Sequence, residues 1–113
     1  MHEMSLAEGV LQIIEETAEV EGFQAVRKVT LEIGQLAAVE PEAMRFCFDA
    51  AMRGSLAEGA ELEIVEVPGS GWCVECATTV PMPEIIAACP YCGNCQLQAT
   101  GGMEMKVTSL EVE

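Results

Sequence analysis

Two cysteine pairs constrain this chain more than any other feature. They are CVEC, with Cys73 and Cys76, and CPYC, with Cys89 and Cys92, separated by twelve residues. Each CxxC can supply half of a tetrahedral four-thiolate site, the arrangement of closed structural zinc centres. Gly93 directly after Cys92 suits a tight knuckle whose backbone N–H groups point at the sulfurs. Four thiolates leave net negative charge around Zn²⁺, and no Lys or Arg lies between Arg53 and Lys106, so backbone amides must supply the compensation. The segment from Trp72 to Gly102 carries few large apolar groups and cannot bury enough surface to offset its chain entropy. Metal binding is therefore expected to fold it. Paired disulfides, a redox CxxC and an iron site of the rubredoxin kind are compatible with the same spacing and stand beside zinc as readings. Cys95 extends the second pair to CxxCxxC, three candidates for two ligand places. The residues around Cys89 and Cys92 favour those two, which makes Cys95 a free thiol or an alternative ligand.

The remainder of the chain is patterned for an α+β layer. Leu6, Val10, Ile13 and Ile14 form a helical stripe within Ser5–Glu21, with Ser5 and Glu8 as a capping box and Gly22 as the stop. In VRKVTLEIG, Val29, Leu31 and Ile33 alternate with Lys28, Thr30 and Glu32, the pattern of a half-buried strand. Pro41 fits the first position of a second helix, with Met44, Cys47, Phe48 and Ala51 on one face and Gly54 at its end. Cys47 there reads as a small buried hydrophobe. Glu61–Val67 reads as a strand, and Pro68–Gly71 (PGSG) as a hinge or linker. The closing MEMKVTSLEVE reads as a strand with a bulge near Thr108–Ser109 that returns to the first sheet. The expected fold class is α+β: two helices packed on a three-stranded sheet, with an inserted four-cysteine zinc-ribbon-like domain. Residues 1–68 plus 103–113 would form one domain and residues 69–102 the other.

Charge narrows the partners. Nineteen acids against five bases give a formal net charge of -14, the reverse of a phosphate-binding surface. Nucleic acid is excluded as a partner, and a cation or a basic protein surface is favoured. No stretch approaches the roughly 20 apolar residues of a membrane span, so no membrane insertion is expected. Glu3, Glu8, Glu15 and Glu16 interrupt any signal-peptide pattern, which points to a cytoplasmic chain.

The single histidine is His2. At that position its imidazole, its own amide nitrogen and the α-amine of Met1 can chelate one ion through fused rings. An ion that displaces the amide proton and prefers square-planar nitrogen ligands suits this donor set: Ni²⁺ or Cu²⁺. A fourth position remains for Glu3, by backbone nitrogen or carboxylate, or for a donor from another protein. Binding displaces protons from an imidazole and an α-amine, groups that ordinarily titrate at about 6.5 and about 7.7–8.0, so affinity falls as the pH drops toward about 6. An exposed, incomplete site of this kind suits transfer of a metal more than storage. The competing reading of a terminal histidine is a frayed residue without chemistry.

The start MHEMSL, the stretch VTLEIGQL, and CVEC followed by CPYCG together resemble the HypA/HybF family, the nickel metallochaperones of NiFe-hydrogenase maturation. The resemblance covers essentially the whole chain in the same order; Cys95 stands outside the family's core pattern. It implies Met1, His2 and Glu3 on Ni(II), carried transiently, and Cys73, Cys76, Cys89 and Cys92 on structural Zn(II). It also implies a HypB-type maturation GTPase and the hydrogenase large-subunit precursor as partners, with urease maturation served in some organisms. A homodimer is compatible with the sequence. The expected function is a metallochaperone and not an enzyme, since a closed zinc site offers no position for water. The alternatives are a zinc-ribbon protein-interaction module without nickel transfer and, more remotely, a thiol oxidoreductase.

Overall fold

The computed structural model describes residues 2–113. Its elements run α1 (His2–Glu21), β1 (Val26–Gly34), α2 (Pro41–Met52), β2 (Glu61–Val67), β3 (Ser70–Cys73), β4 (Thr78–Pro81), β5 (Leu97–Gly101) and β6 (Met105–Val112). They form two three-stranded sheets, ordered β2-β1-β6 and β4-β3-β5. The last strand thus returns beside β1, and the cysteine-bearing strands are an insertion, as expected.

Two compact units divide the chain. The first takes residues up to Leu31, Val39–Ile64 and Val107–Glu113; the second takes Glu32–Ala38 and Val65–Lys106. In the first unit α1 packs against α2. Its buried side chains come from α1 (Ala7, Val10, Ile14), α2 (Met44, Cys47, Phe48, Met52), β1 (Val26, Val29, Leu31) and Ala57 in the turn after α2. The alternation in β1 is the physical cause of its placement: one pleat face is apolar, and burying it requires helices against that face. Cys47 is buried among these apolar residues, the expected small hydrophobe. Gly22 ends α1 with φ +81, and its N–H bonds the Ala18 carbonyl at 2.8 Å.

Three sequence expectations are corrected. Helix α1 begins at His2, so Ser5 is interior and exposed and no capping box forms there. Ile13 is 47% exposed, because the buried row of α1 runs Ala7, Val10, Ile14 and leaves Ile13 at its margin. Pro68–Gly71 is no loose hinge. Gly69 N–H donates to Gln35 Oε1 at 2.9 Å, the Gly69 carbonyl accepts from Met82 N–H at 3.0 Å, and Ser70 and Gly71 already belong to β3. The glycines there serve close approach. A Cβ on Gly34 would overlap the Gly102 carbonyl, and one on Gly69 would overlap the Met82 carbonyl. In β6 the burial phase slips at Thr108 and Ser109, both exposed, where the bulge is expected.

Candidate metal centre

The first cysteine pair lies at the end of a hairpin. β3 pairs antiparallel with β4 in the register Cys73↔Thr78, and the CVEC turn connects them, with Ala77 at φ 51. The second pair forms a matching turn closed by Gly93, at φ +78, whose N–H bonds the Cys89 carbonyl at 2.9 Å. The left-handed conformation that Gly93 supplies without strain is what lets this knuckle close. Each knuckle aims a backbone N–H at a sulfur: Cys76 N–H at Cys73 Sγ and Tyr91 N–H at Cys89 Sγ, both at 3.5 Å. These are the amide dipoles that a tetrathiolate with no cationic neighbour requires.

The four sulfurs of Cys73, Cys76, Cys89 and Cys92 all lie within 4.8 Å of one another. Across the two knuckles, Cys73 Sγ to Cys92 Sγ is 3.6 Å and Cys76 Sγ to Cys89 Sγ is 3.9 Å. A regular tetrahedron with metal–sulfur bonds of about 2.3 Å has edges of about 3.8 Å, so the cage fits a zinc-sized ion and its soft donors fit that metal. Contact with the Cys92 thiol, burial and the Cys89 and Cys73 thiols push Cys76 up to about 12. Burial would also raise Cys89, but the amide donors of Tyr91 and Cys92 outweigh it and bring this thiol down to about 7. A divalent cation resolves this crowding by taking the place of the thiol protons. Cys73 and Cys89 are buried, Cys76 is half-buried and Cys92 is exposed. Cys95 is also exposed and lies outside the four-sulfur group, its Sγ 3.7 Å from the Gly93 carbonyl.

Met1 lies outside the described residues. His2, the first residue of α1, is exposed, and Glu3 is half-buried in the first helical turn. The Glu3 carboxylate accepts the backbone N–H of Glu40 at 3.2 Å, and the Glu40 carboxylate in turn accepts the Ala43 N–H at 2.7 Å, capping α2. In a capping box, the third helical residue reaches back to the cap's own N–H. Ala43 has no group to offer, and Glu3 of α1 takes that role from outside the helix. The Glu40 N–H, followed by Glu3's own N–H, holds the Glu3 carboxyl below its ordinary value. Glu40 is the residue missed in the sequence; its signal is its place immediately before a proline at the first helical position.

Fold and cysteine geometry define a small α+β metal-binding protein built around a tetrathiolate cage, with no helix among the described residues long and apolar enough to cross a membrane. A family model described as "HypA: Hydrogenase/urease nickel incorporation, metallochaperone, hypA" matches residues 1–112. The hydrogenase maturation factor HypA of Albidiferax ferrireducens (strain ATCC BAA-621 / DSM 15236 / T118) is 63% identical over 113 residues, covering 100% of both chains. That of Dechloromonas aromatica (strain RCB) is 60% identical with the same full coverage. A solution structure of a HypA protein is 26% identical with a TM-score of 0.71, covering 100% of this chain and 97% of the other. The chain belongs to the HypA family of nickel metallochaperones, which are maturation factors rather than enzymes.

Proposed function

We propose that this chain binds Ni(II) at its N-terminus and delivers it during NiFe-hydrogenase maturation, while Cys73, Cys76, Cys89 and Cys92 hold a structural Zn(II). The observation that carries the nickel reading is the engagement of Glu3. Its carboxylate is already taken by the Glu40 N–H. That leaves the exposed His2 imidazole, the Met1 amine and first-turn amide nitrogens as donors, Glu3 contributing through its backbone. The first N–H groups of a helix have no intrahelical acceptor, so displacing their protons breaks no helical hydrogen bond. Nickel is the cargo here, and the nitrogen set favours a square-planar ion. In this reading residues 1–68 plus 103–113 serve nickel and residues 69–102 serve zinc, in a cytoplasmic protein. A HypB-type GTPase and the hydrogenase large-subunit precursor are its partners.

The test is a Ni(II) titration by competition with a chromophoric chelator. It compares untagged native protein, His2→Ala, and a form with extra residues ahead of Met1. Both altered forms should lose high-affinity nickel binding, since one removes the imidazole and the other the α-amine. Unchanged affinity in both would sink the reading. A second reading, an interaction module that works without nickel, is favoured by the exposure of Val74, Ile85, Ile86 and Tyr91 around the cysteine knuckles. Full hydrogenase maturation in cells carrying only His2→Ala would select it.

A further inference from the structure

Four of the five clustered cysteines form the metal cage, and the fifth, Cys95, follows three residues after the last of them. Cys92–Gly93–Asn94–Cys95 is itself a CxxC that shares its first cysteine with the cage. Among the four cage residues, Cys73 and Cys89 are buried, Cys76 is half-buried and only Cys92 is exposed; Cys95 is exposed beside it. The chain between them turns back on itself. Gly93 is left-handed at φ +78, the Asn94 carbonyl accepts the Cys89 N–H at 2.8 Å, and Cys95 Sγ points back to the Gly93 carbonyl at 3.7 Å. Asn94 Oδ1 accepts the Gln96 N–H at 3.0 Å, which holds the turn around Cys95. Of the five clustered cysteines these two are the exposed ones, so a small oxidant meets them before the other three.

We propose that Cys92 and Cys95 form a reversible disulfide under peroxide, which withdraws one ligand from the cage and releases its zinc. This rests on the zinc reading above. The chemistry balances in two steps. The Cys95 thiol attacks a peroxide oxygen and the O–O bond breaks. Cys95 becomes a sulfenic acid, while the leaving hydroxide takes the thiol proton as water. The Cys92 thiolate then attacks the sulfenic sulfur, the S–S bond forms, and the departing hydroxide is protonated by solvent. Two cysteines lose two electrons in total and one peroxide gains them. Cys73, Cys76 and Cys89 remain, too few for the closed tetrahedron that structural zinc requires. A thiol reductant reverses the bond and restores the ligand.

The experiment uses the untagged full chain with its metal content measured first. Hydrogen peroxide is added, zinc release is followed with a chromophoric chelator, and disulfides are mapped by peptide mass spectrometry without reduction. Native protein should release zinc together with a Cys92–Cys95 bond, and dithiothreitol with added zinc should restore it. Cys95→Ser, which removes no cage ligand, should slow release by about tenfold, because the reaction loses the thiol three residues from Cys92 that closes the disulfide. Equal release rates in native and Cys95→Ser, or disulfides mapped only within the four cage cysteines, would overturn the switch while leaving the zinc site intact. Protein found without zinc before peroxide is added would overturn the zinc reading itself, and the switch with it.

Discussion

Glu3 lies where the beginnings of two helices meet, and its carboxylate is the acceptor that Ala43 lacks. Two substitutions separate its role from that of the cap it completes. Glu40→Ala removes the acceptor for the Ala43 N–H and should cost about 1 kcal/mol in chemical denaturation, the usual loss at a helix N-cap. Glu3→Gln keeps the shape and removes the charge, and its effect carries a pH signature. A carboxyl held below its ordinary value stabilises the fold above that value and loses the contribution as pH falls through its folded value. The melting temperature of native protein should therefore exceed that of Glu3→Gln at pH 7, with the gap closing once the pH drops below the reference value of 4.5. A gap of equal size at pH 7 and pH 3 would show that the Glu3–Glu40 contact is incidental. The Glu3 contact was illegible in the sequence because 37 positions separate the partners and the motif that holds Glu3 does not point to Glu40.

Glycines mark where strand and turn geometry overrode local patterning. Gly34 ends β1, and a methyl group there would overlap the Gly102 backbone, which cannot yield as a side-chain tip would. Gly34→Ala should destabilise by about 3 kcal/mol. Gly9, in the interior of α1, has nothing within 4 Å of an added Cβ, so Gly9→Ala should stabilise by about 0.5–1 kcal/mol. Urea unfolding of the two variants checks both signs together. The same contrast explains what was readable at this scale. β1 and α2 announce themselves by periodic burial and by Pro41, because long segments must place an apolar face somewhere. The Pro68–Gly71 stretch has the composition of a linker, yet its glycines are there because backbones cross. β3, β4 and β5 are four or five residues each, too short to show a period, and are held by one another and by the cysteine turns. The start of α1 was hidden for a related reason: Ser5 is the stronger capping type, but the helix already runs past it from His2.

At the scale of the whole molecule, the cysteine spacing was the most legible feature because a four-ligand cage leaves its arithmetic in the sequence. The dependence of the second unit on that cage follows from what else it buries. Apart from Ile33 and Leu36 in Glu32–Ala38, the buried apolar side chains of that unit other than cysteine are Val80 and Met82, and Val80 groups with Cys73 and Cys89, flanked by Cys76 and Leu97. Each such side chain contributes about 2 kcal/mol, about what fixing one or two residues costs in chain entropy. A segment of this length cannot be held by that alone. The first unit, by contrast, buries two helix faces and a strand face with no cysteine ligand among them. Stripping metal with a strong chelator under reducing conditions should therefore act unevenly. Amide signals from β3, β4 and β5 should collapse toward the unfolded range in NMR spectra, while far-UV circular dichroism retains the signal of α1 and α2. Returning Zn²⁺ should restore the lost signals in proportion to the metal bound, since binding free energy is here folding free energy. Metal-free protein that keeps dispersed signals from all three strands would mean that backbone pairing alone sustains the insertion. The four sulfurs would then be passengers in a fold that does not need them.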